Sequence, residues 1–402
     1  MGRDQQTDLL FRTGRYDEAA AWFQKTLHEH GENGRDALLY LLDLGLAYHS
    51  AGRYEESNKA LLRADKVAEI KDYASLGAEA VTLVSSDNSK DYQAEDFENV
   101  LISTYLAMNY SLLGNSQGNV QGNFQRNFED AIVEARRVNH KLELMASVGK
   151  RKYKQSAFAR YLSAILYEAE HDYNNAYVDY RNTYSLAPKM PGLGQDLWRC
   201  SWILRMPDEM KKWENEFGLT AEDLDLAKRM NPRSKQSEII VLYENGISPI
   251  KKPNPTFNQL PKFFPRYNPI ARANIEVNGK YKGSTFVLED IEATAIQNLN
   301  EKYGAIIAKN LVGVMAKDGF AYVLDQVKPI FGYIARIAMF SSDQPDLRSW
   351  NLLPKDLQIL RLIVDPGTYT VRAFPVGAGP LPKKVVQVGV GKKVFVNFRY
   401  VR

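Results

Sequence analysis

The chain has 402 residues, 45 % of them hydrophobic and 25 % charged, a balance that excludes wholesale disorder and a polytopic membrane protein and leaves room for two or three domains. Its formal net charge is only +4, too small over this length to indicate a nucleic-acid coat. A single cysteine, Cys200, excludes an intramolecular disulfide and a thiolate metal cluster, so the fold relies on packing.

The opening residues, Met1-Gly2-Arg3-Asp4, lack the charged, apolar and cleavage regions of a signal peptide. One motif then returns along the first half. Arg15-Tyr16-Asp17-Glu18-Ala19-Ala20 reappears as Arg53-Tyr54-Glu55-Glu56-Ser57-Asn58, as Asn127-Phe128-Glu129-Asp130-Ala131-Ile132 and as Asp172-Tyr173-Asn174-Asn175-Ala176-Tyr177. The aromatic positions 16, 54, 128 and 173 are separated by roughly one, two and one periods of a helix-pair repeat, which predicts an α-solenoid. In the second copy Leu44-Gly45, Tyr48, Gly52, Tyr54, Leu61 and Ala64 carry the pattern, with Ser57 where alanine is usual. Each type has a packing reason: Gly45 permits close helix contact, Gly52 ends the first helix in a left-handed cap, and Tyr54 fills the wedge between helices.

These residues resemble the tetratricopeptide (TPR) consensus. The fourth copy repeats it with Ala164, Tyr167, Tyr173, Ala176, Tyr180 and Pro188, His171 replacing the turn glycine. The third keeps Ala107, Tyr110, Gly114, Phe128 and Ala131 but carries an insertion, Asn115 to Arg126, read as a surface loop, and Ser85 to Ser89 reads as another loop. The likeness covers roughly residues 8 to 188. A further helical region, Gln195 to Arg229, anchored by Trp198, Trp202 and Trp213 and with its last helix starting at Thr220, is expected to cap the stack.

From Ser237 the period changes. Glu238 to Tyr243 is a short β-branched run, and Asn254 to Pro269 is an aromatic, proline-rich crossing segment. Ala271–Val277, Asn278-Gly279 and Lys280–Leu288 predict a type I′ hairpin. Leu288 to Asp325 reads as helical; within it the apolar stretch Gly304–Ala316 is interrupted by Lys309 and Asn310 and falls short of the about 20 residues a spanning helix needs. Leu357–Val364, Gly367–Phe374, Lys384–Gly389 and Lys393–Val401 are expected to form a terminal antiparallel sheet. The predicted class is multidomain α and α+β: a TPR-like α-solenoid over 1–190, capping helices over 191–236, and an α/β domain over 237–402. Together with Val241-Leu242-Tyr243-Glu244-Asn245-Gly246 and Asp346-Leu347-Arg348-Ser349-Trp350-Asn351-Leu352-Leu353-Pro354, this arrangement resembles an uncharacterised family of bacterial envelope proteins, outer-membrane lipoproteins. The resemblance implies periplasmic, outer-membrane-associated placement through a lipid anchor, whose lipobox cysteine this sequence lacks; without such an anchor the expectation is cytoplasmic.

Catalytic motifs are scarce. Gly114-Asn115-Ser116-Gln117-Gly118 fits G-x-S-x-G, but a helix precedes it and a loop follows, the reverse of a nucleophile elbow. His28 and His30 have neither metal-ligand spacing nor cysteine partners, Cys200 sits among tryptophans as an inert thiol, and no phosphate-binding glycine motif occurs. Glu289, Asp290 and Glu292 are acidic residues at a helix start, as the helix dipole favours. No enzyme activity, cofactor or metal is expected, nor a nucleic acid or transmembrane segment. Lys150-Arg151-Lys152-Tyr153-Lys154 reads as a solvated face. Lys355 to Arg402 holds nine basic and two acidic residues, read as a charged sheet exterior, the alternative being contact with an anionic glycan, lipid headgroup or acidic protein.

The TPR resemblance implies a concave binding surface at Leu42, Leu46 and His49, at Thr104, Met108 and Ser111, and at Tyr161, Ile165 and Glu168, suited to a peptide or partner helix. The same positions could instead pack beneath the capping helices or the second half. The leading reading is a non-catalytic scaffold of the bacterial envelope binding protein partners. The alternatives are an envelope glycan-processing or hydrolytic enzyme with a site in the second half, and a cytoplasmic TPR adaptor.

Overall fold

In the computed structural model, residues 3–31, 34–75, 91–114, 121–148, 155–231, 235–255, 261–301 and 345–401 are described. Helices α1 (Arg3–Arg12), α2 (Tyr16–His30), α3 (Ala37–Ser50), α4 (Tyr54–Ser75), α5 (Asp96–Leu113), α6 (Gln121–Val148), α7 (Ala157–Ala169), α8 (Tyr173–Leu186), α9 (Leu193–Ile203), α10 (Pro207–Phe217) and α11 (Ala221–Arg229) stack as TPR-like hairpins.

Their turns explain the repeat. Gly14, Gly52, His171 and Arg205 take left-handed φ values of 70°, 78°, 61° and 58°. In each turn the next residue's N–H reaches back five residues: Arg15 to Leu10, Arg53 to Tyr48, Asp172 to Tyr167 and Met206 to Ser201, at 2.8–2.9 Å. This is the Schellman closure, which consumes carbonyls a helix end would otherwise leave bare. His171 thus occupies the glycine position at a conformational cost, and Arg205 marks a further hairpin within the capping region. Gly45 is required by contact: a Cβ there would lie 2.6 Å from Leu61. Ser57 donates to the Gly45 carbonyl at 2.7 Å, a bond alanine cannot make. Tyr54 is half-buried, its ring edge-on to His49 at 5.5 Å.

The second half contains β1 (Ser237–Asn245), β2 (Ile250–Pro253), β3 (Pro261–Phe264), β4 (Ala273–Val277), β5 (Lys280–Ser284), β6 (Phe286–Asp290), β7 (Asp356–Val364), β8 (Gly367–Pro375), β9 (Lys384–Val388) and β10 (Lys393–Tyr400). The Asn278-Gly279 turn forms, with φ of 51° and 74°. Its second arm does not stay whole: β5 ends at Ser284 and β6 joins another sheet.

The four terminal strands are likewise divided. The first sheet has order β10-β1-β7-β6 and the second β5-β4-β8-β9, with β2 and β3 as a separate pair. All pairings are antiparallel except β1 with β10. Terminal strands that look continuous in sequence are therefore shared between two layers. Of the predicted 288–325 helix, 288–290 instead end β6, helix covers 291–301, and 302–325 lie outside the described residues, as do Ser85–Ser89 and Lys150–Lys154. The Asn115–Arg126 insertion is helical from Gln121.

β1 is buried from end to end. Its odd residues Ile239, Val241 and Tyr243 pack with β10 and the second sheet, including Ile275, Val371 and Ala373, as an apolar sandwich. Its even apolar residues Ile240 and Leu242, with Leu357, Ile359 and Phe395, enter the core of the helical stack. One sheet thus shares a core with each neighbour.

Candidate functional site: a charged seam between helices and sheet

On the face of β1 turned to the helices, Glu238 and Glu244 flank the apolar pair Ile240 and Leu242. The pairing register sets Lys393 beside Glu238, Arg399 beside Glu244 and Arg361 beside Ile240. Two polar centres result.

At the first, the Arg361 guanidinium donates to Glu168 of α7 and Asp196 of α9, each at 2.9 Å, and to Glu238 and the Tyr180 hydroxyl. Lys393 donates to Glu238. Arg199 donates to Glu168 and Asp196 at 2.7–3.0 Å, Tyr180 donates to Glu168 and Tyr161 to Asp196. Three carboxylates meet three cations, which satisfies the requirement that buried charge be paired and hydrogen-bonded. Burial pushes the Glu238 carboxyl up, but Arg361 and Lys393 outweigh it and hold the group at about 2. Against the same desolvation, Arg199, Arg361 and Lys393 keep Glu168 well below the usual carboxylate range.

At the second, Glu244 receives Tyr105 at 2.8 Å and Asn397 at 2.7 Å, and lies 2.9 Å from His49 Nε2. Ser57 gives its proton to Gly45, so Asn109 Nδ2 donates to Ser57 and Asn109 Oδ1 is turned toward His49 Nδ1. By that network Nδ1 carries a proton. Burial raises the Glu244 carboxyl while His49, Arg399 and Asn397 pull it down to about 2.

All nine residues expected on the concave surface are buried. The structure brings them together as the helical wall of this seam: His49, Tyr161 and Glu168 carry its polar contacts, and Leu42, Leu46, Met108 and Ile165 its apolar packing. Thr104 and Ser111 bond carbonyls of their own helix. The groove is filled by the chain's own sheet.

The basic terminal stretch is redistributed accordingly. Arg361, Lys393 and Arg399 point into the seam, the half-buried Lys384 stacks over Phe398, and Lys355 pairs with Glu292. The reading of this stretch as a charged exterior therefore holds for only part of it. The seam cations were missed in sequence reasoning, yet a signal existed: Glu238, Glu244, Arg361 and Asn397 each interrupt an otherwise apolar strand, and a charge in a strand buried on both faces demands a partner.

Where the Ala169–Tyr173 turn meets Gly391–Lys393, two adjoining clefts have volumes of about 40 and 60 Å³, against about 300 Å³ or more for small-molecule sites. Among the described residues no group of three or more His, Cys, Asp or Glu is placed to hold a metal, and no helix is long and apolar enough to cross a membrane. Cys200 is buried and burial pushes its thiol up, which removes nucleophilic character. Ser116 lies outside the described residues. Asp290 caps the helix at 291–301 by accepting from Ala293 N–H, and Glu292 pairs with Lys355.

No family model matches the chain, and no curated protein matches it. Among solved structures it is similar to MamA at 17 % identity, covering 57 % of this chain and 98 % of that one with a TM-score of 0.32. It is also similar to the nearly identical TPR-like repeats of a Podosopora anserina kinesin light chain-type protein, at 16 % identity, 58 % and 98 % coverage and a TM-score of 0.34. A third likeness is to BtubC from P. vanneervenii, at 16 % identity, 56 % and 76 % coverage and a TM-score of 0.31. TM-scores this low carry no argument, and the TPR-like description rests on the hairpin geometry above.

Proposed function

We propose that the chain is a non-catalytic protein-interaction scaffold that engages partners on its outer surfaces, and that it works in the bacterial envelope. The observation that carries the scaffold reading is the seam. The concave face on which helical-repeat stacks take ligands is closed by the chain's own sheet, and the carboxylates there are engaged with cations, not poised for acid–base work. What this architecture supplies is a β-sandwich held at a fixed angle on a helical stack. The envelope placement rests on the resemblance alone.

The test is photo-crosslinking in cells with a reactive residue at Val178, which is 53 % exposed, or at the buried Ile165. Protein adducts from position 178 and none from 165 are expected, with the chain in the envelope fraction. Adducts only from 165 would restore the concave face as the docking surface. Absence of adducts together with turnover of hydrolase substrates would replace the scaffold reading with the enzyme one.

A further inference from the structure

The second sheet collects the charge of the molecule. Residues 271–284 and 367–388, which form β4, β5, β8 and β9 with their turns, contain six basic residues and one acidic, while the whole chain carries +4. Everything else sums to slightly below neutral. One of the six, Lys384, is half-buried against Phe398; the other five lie on the outside of the sheet or along its edges.

Their arrangement follows from the register. On β4 the alternation that buries Ala273, Ile275 and Val277 turns Asn274 and Glu276 outward. Tyr281 of β5 and Arg372 of β8 stand on either side of Glu276. Arg272 lies just ahead of β4, Lys282 at the bulge of β5, and Lys383 at the start of β9. Among the described residues no ion pair or side-chain hydrogen bond engages Arg272, Lys282, Arg372 or Lys383, in contrast to the seam, where Arg361 alone meets three carboxylates. Tyr281 is 62 % exposed, a large aromatic surface at the rim of a cationic face.

We infer that this outer face binds an anionic polysaccharide lying across the strands. Four strands at a spacing of about 4.8 Å give a track of roughly 15 Å, enough for about three sugar units. The cations recur along it on β5, just ahead of β4, on β8 and just ahead of β9, so a polymer with regularly spaced carboxylates or sulfates meets several at once. Asn274, Ser284 and Gln387, which share this face by register, supply donors and acceptors for hydroxyl groups. A single-stranded nucleic acid is less well matched, because Tyr281 is the one fully presented ring and base binding draws on successive stacking platforms. This inference does not depend on the scaffold reading: it concerns a glycan and a face that the crosslinking positions do not include.

The test titrates the full chain with an alginate oligosaccharide in a salt series, beside neutral dextran, oligothymidylate and polyglutamate. Saturable alginate binding that weakens with salt and is absent for dextran is expected. Arg272→Ser with Arg372→Ser should weaken it roughly tenfold, while Lys211→Ser on α10 leaves it unchanged. Lys282→Gln with Lys383→Gln, at exposed edge positions, provides a second pair should the arginine variant melt early. No alginate binding, equal binding by either pair of variants, equal binding of dextran, or tighter binding of oligothymidylate or polyglutamate would each overturn the proposal.

Discussion

The two faces of the β10-β1-β7-β6 sheet solve one problem in different ways. Toward the second sheet, β1 offers Ile239, Val241 and Tyr243 to Ile275, Val371 and Ala373, an apolar contact with Lys384 over Phe398 beside it. Toward the helices, the same strand brackets Ile240 and Leu242 with Glu238 and Glu244, each paired with cations from other elements. Apolar contact contributes in proportion to area and is non-directional. A buried ion network adds little net stability but makes every other seating costly, because a shifted register leaves charges bare. The sandwich is held by area, and the seam is held in place by charge.

The sharpest way to break that contrast is Arg361→Ala, which takes a shared cation from Glu168, Asp196 and Glu238 at once. A loss of about 3–5 kcal/mol in urea unfolding is expected. On the other face Ile275→Ala should cost about 2–4 kcal/mol through its cavity. If Arg361→Ala proved the milder, the seam would be ornamental.

Acid should dissolve the seam and spare the sandwich. Glu238 and Glu244 titrate at about 2 in the fold against about 4.3 unfolded. Their contribution is therefore complete above about pH 4.3 and is lost as pH falls toward 2, by about 3 kcal/mol for each carboxylate. Near-ultraviolet dichroism of the seam residues Tyr105 and Tyr161 should collapse in that window; a flat stability profile from pH 5 to 2 would contradict the assignment.

Two smaller changes sharpen the comparison inside the helical half. Gly45→Ala drives a methyl into Leu61 and should cost about 1–3 kcal/mol in thermal melts. Glu134 of α6 is the counterexample to the paired seam carboxylates: one of its oxygens is buried without a hydrogen bond, and burial, only partly offset by Arg137 and Lys141, lifts the group to about 7. Its folded value lies above the unfolded one, so the cost of burying it grows as pH rises from about 4.3 to 7. Glu134→Gln should then stabilise by about 1 kcal/mol at pH 8 and not at pH 4, as paired denaturation curves would show.

What could be read from sequence was local. Tyr54 and Tyr173 announce the hairpins because the wedge and the left-handed turn before it lie within a few residues, and even His171 was recognised as standing in for glycine. The Asn278-Gly279 turn and the C-terminal strands are short-range features too. The Arg205 turn escaped notice because arginine carries no turn signature, although Pro207 at the first position of α10 is a start signal. Allocation of β7 and β10 to one sheet and of β8 and β9 to another was not readable, since alternation is the same in both. The occupied concave face was hidden for a related reason: Leu42, Met108 and Ile165 look alike whether a separate partner or a distant strand covers them. Only the acidic and basic interruptions in β1, β7 and β10 hinted at a cover from within.

The parallel pairing of β1 with β10 also sets an order of events. Glu238 and Lys393 are neighbours in the sheet yet 155 positions apart in the chain. At about 5–20 residues per second, a ribosome completes the helices and β1 roughly 8–30 s before β10 leaves the exit tunnel. Through that interval Glu168, Glu238 and Glu244 wait without Lys393 and Arg399, with Leu42 and Ile165 uncovered beside them. The nascent chain therefore passes through a stage in which its helical half is an open acidic cradle, and β10, synthesised after every other described strand, is the one that closes it.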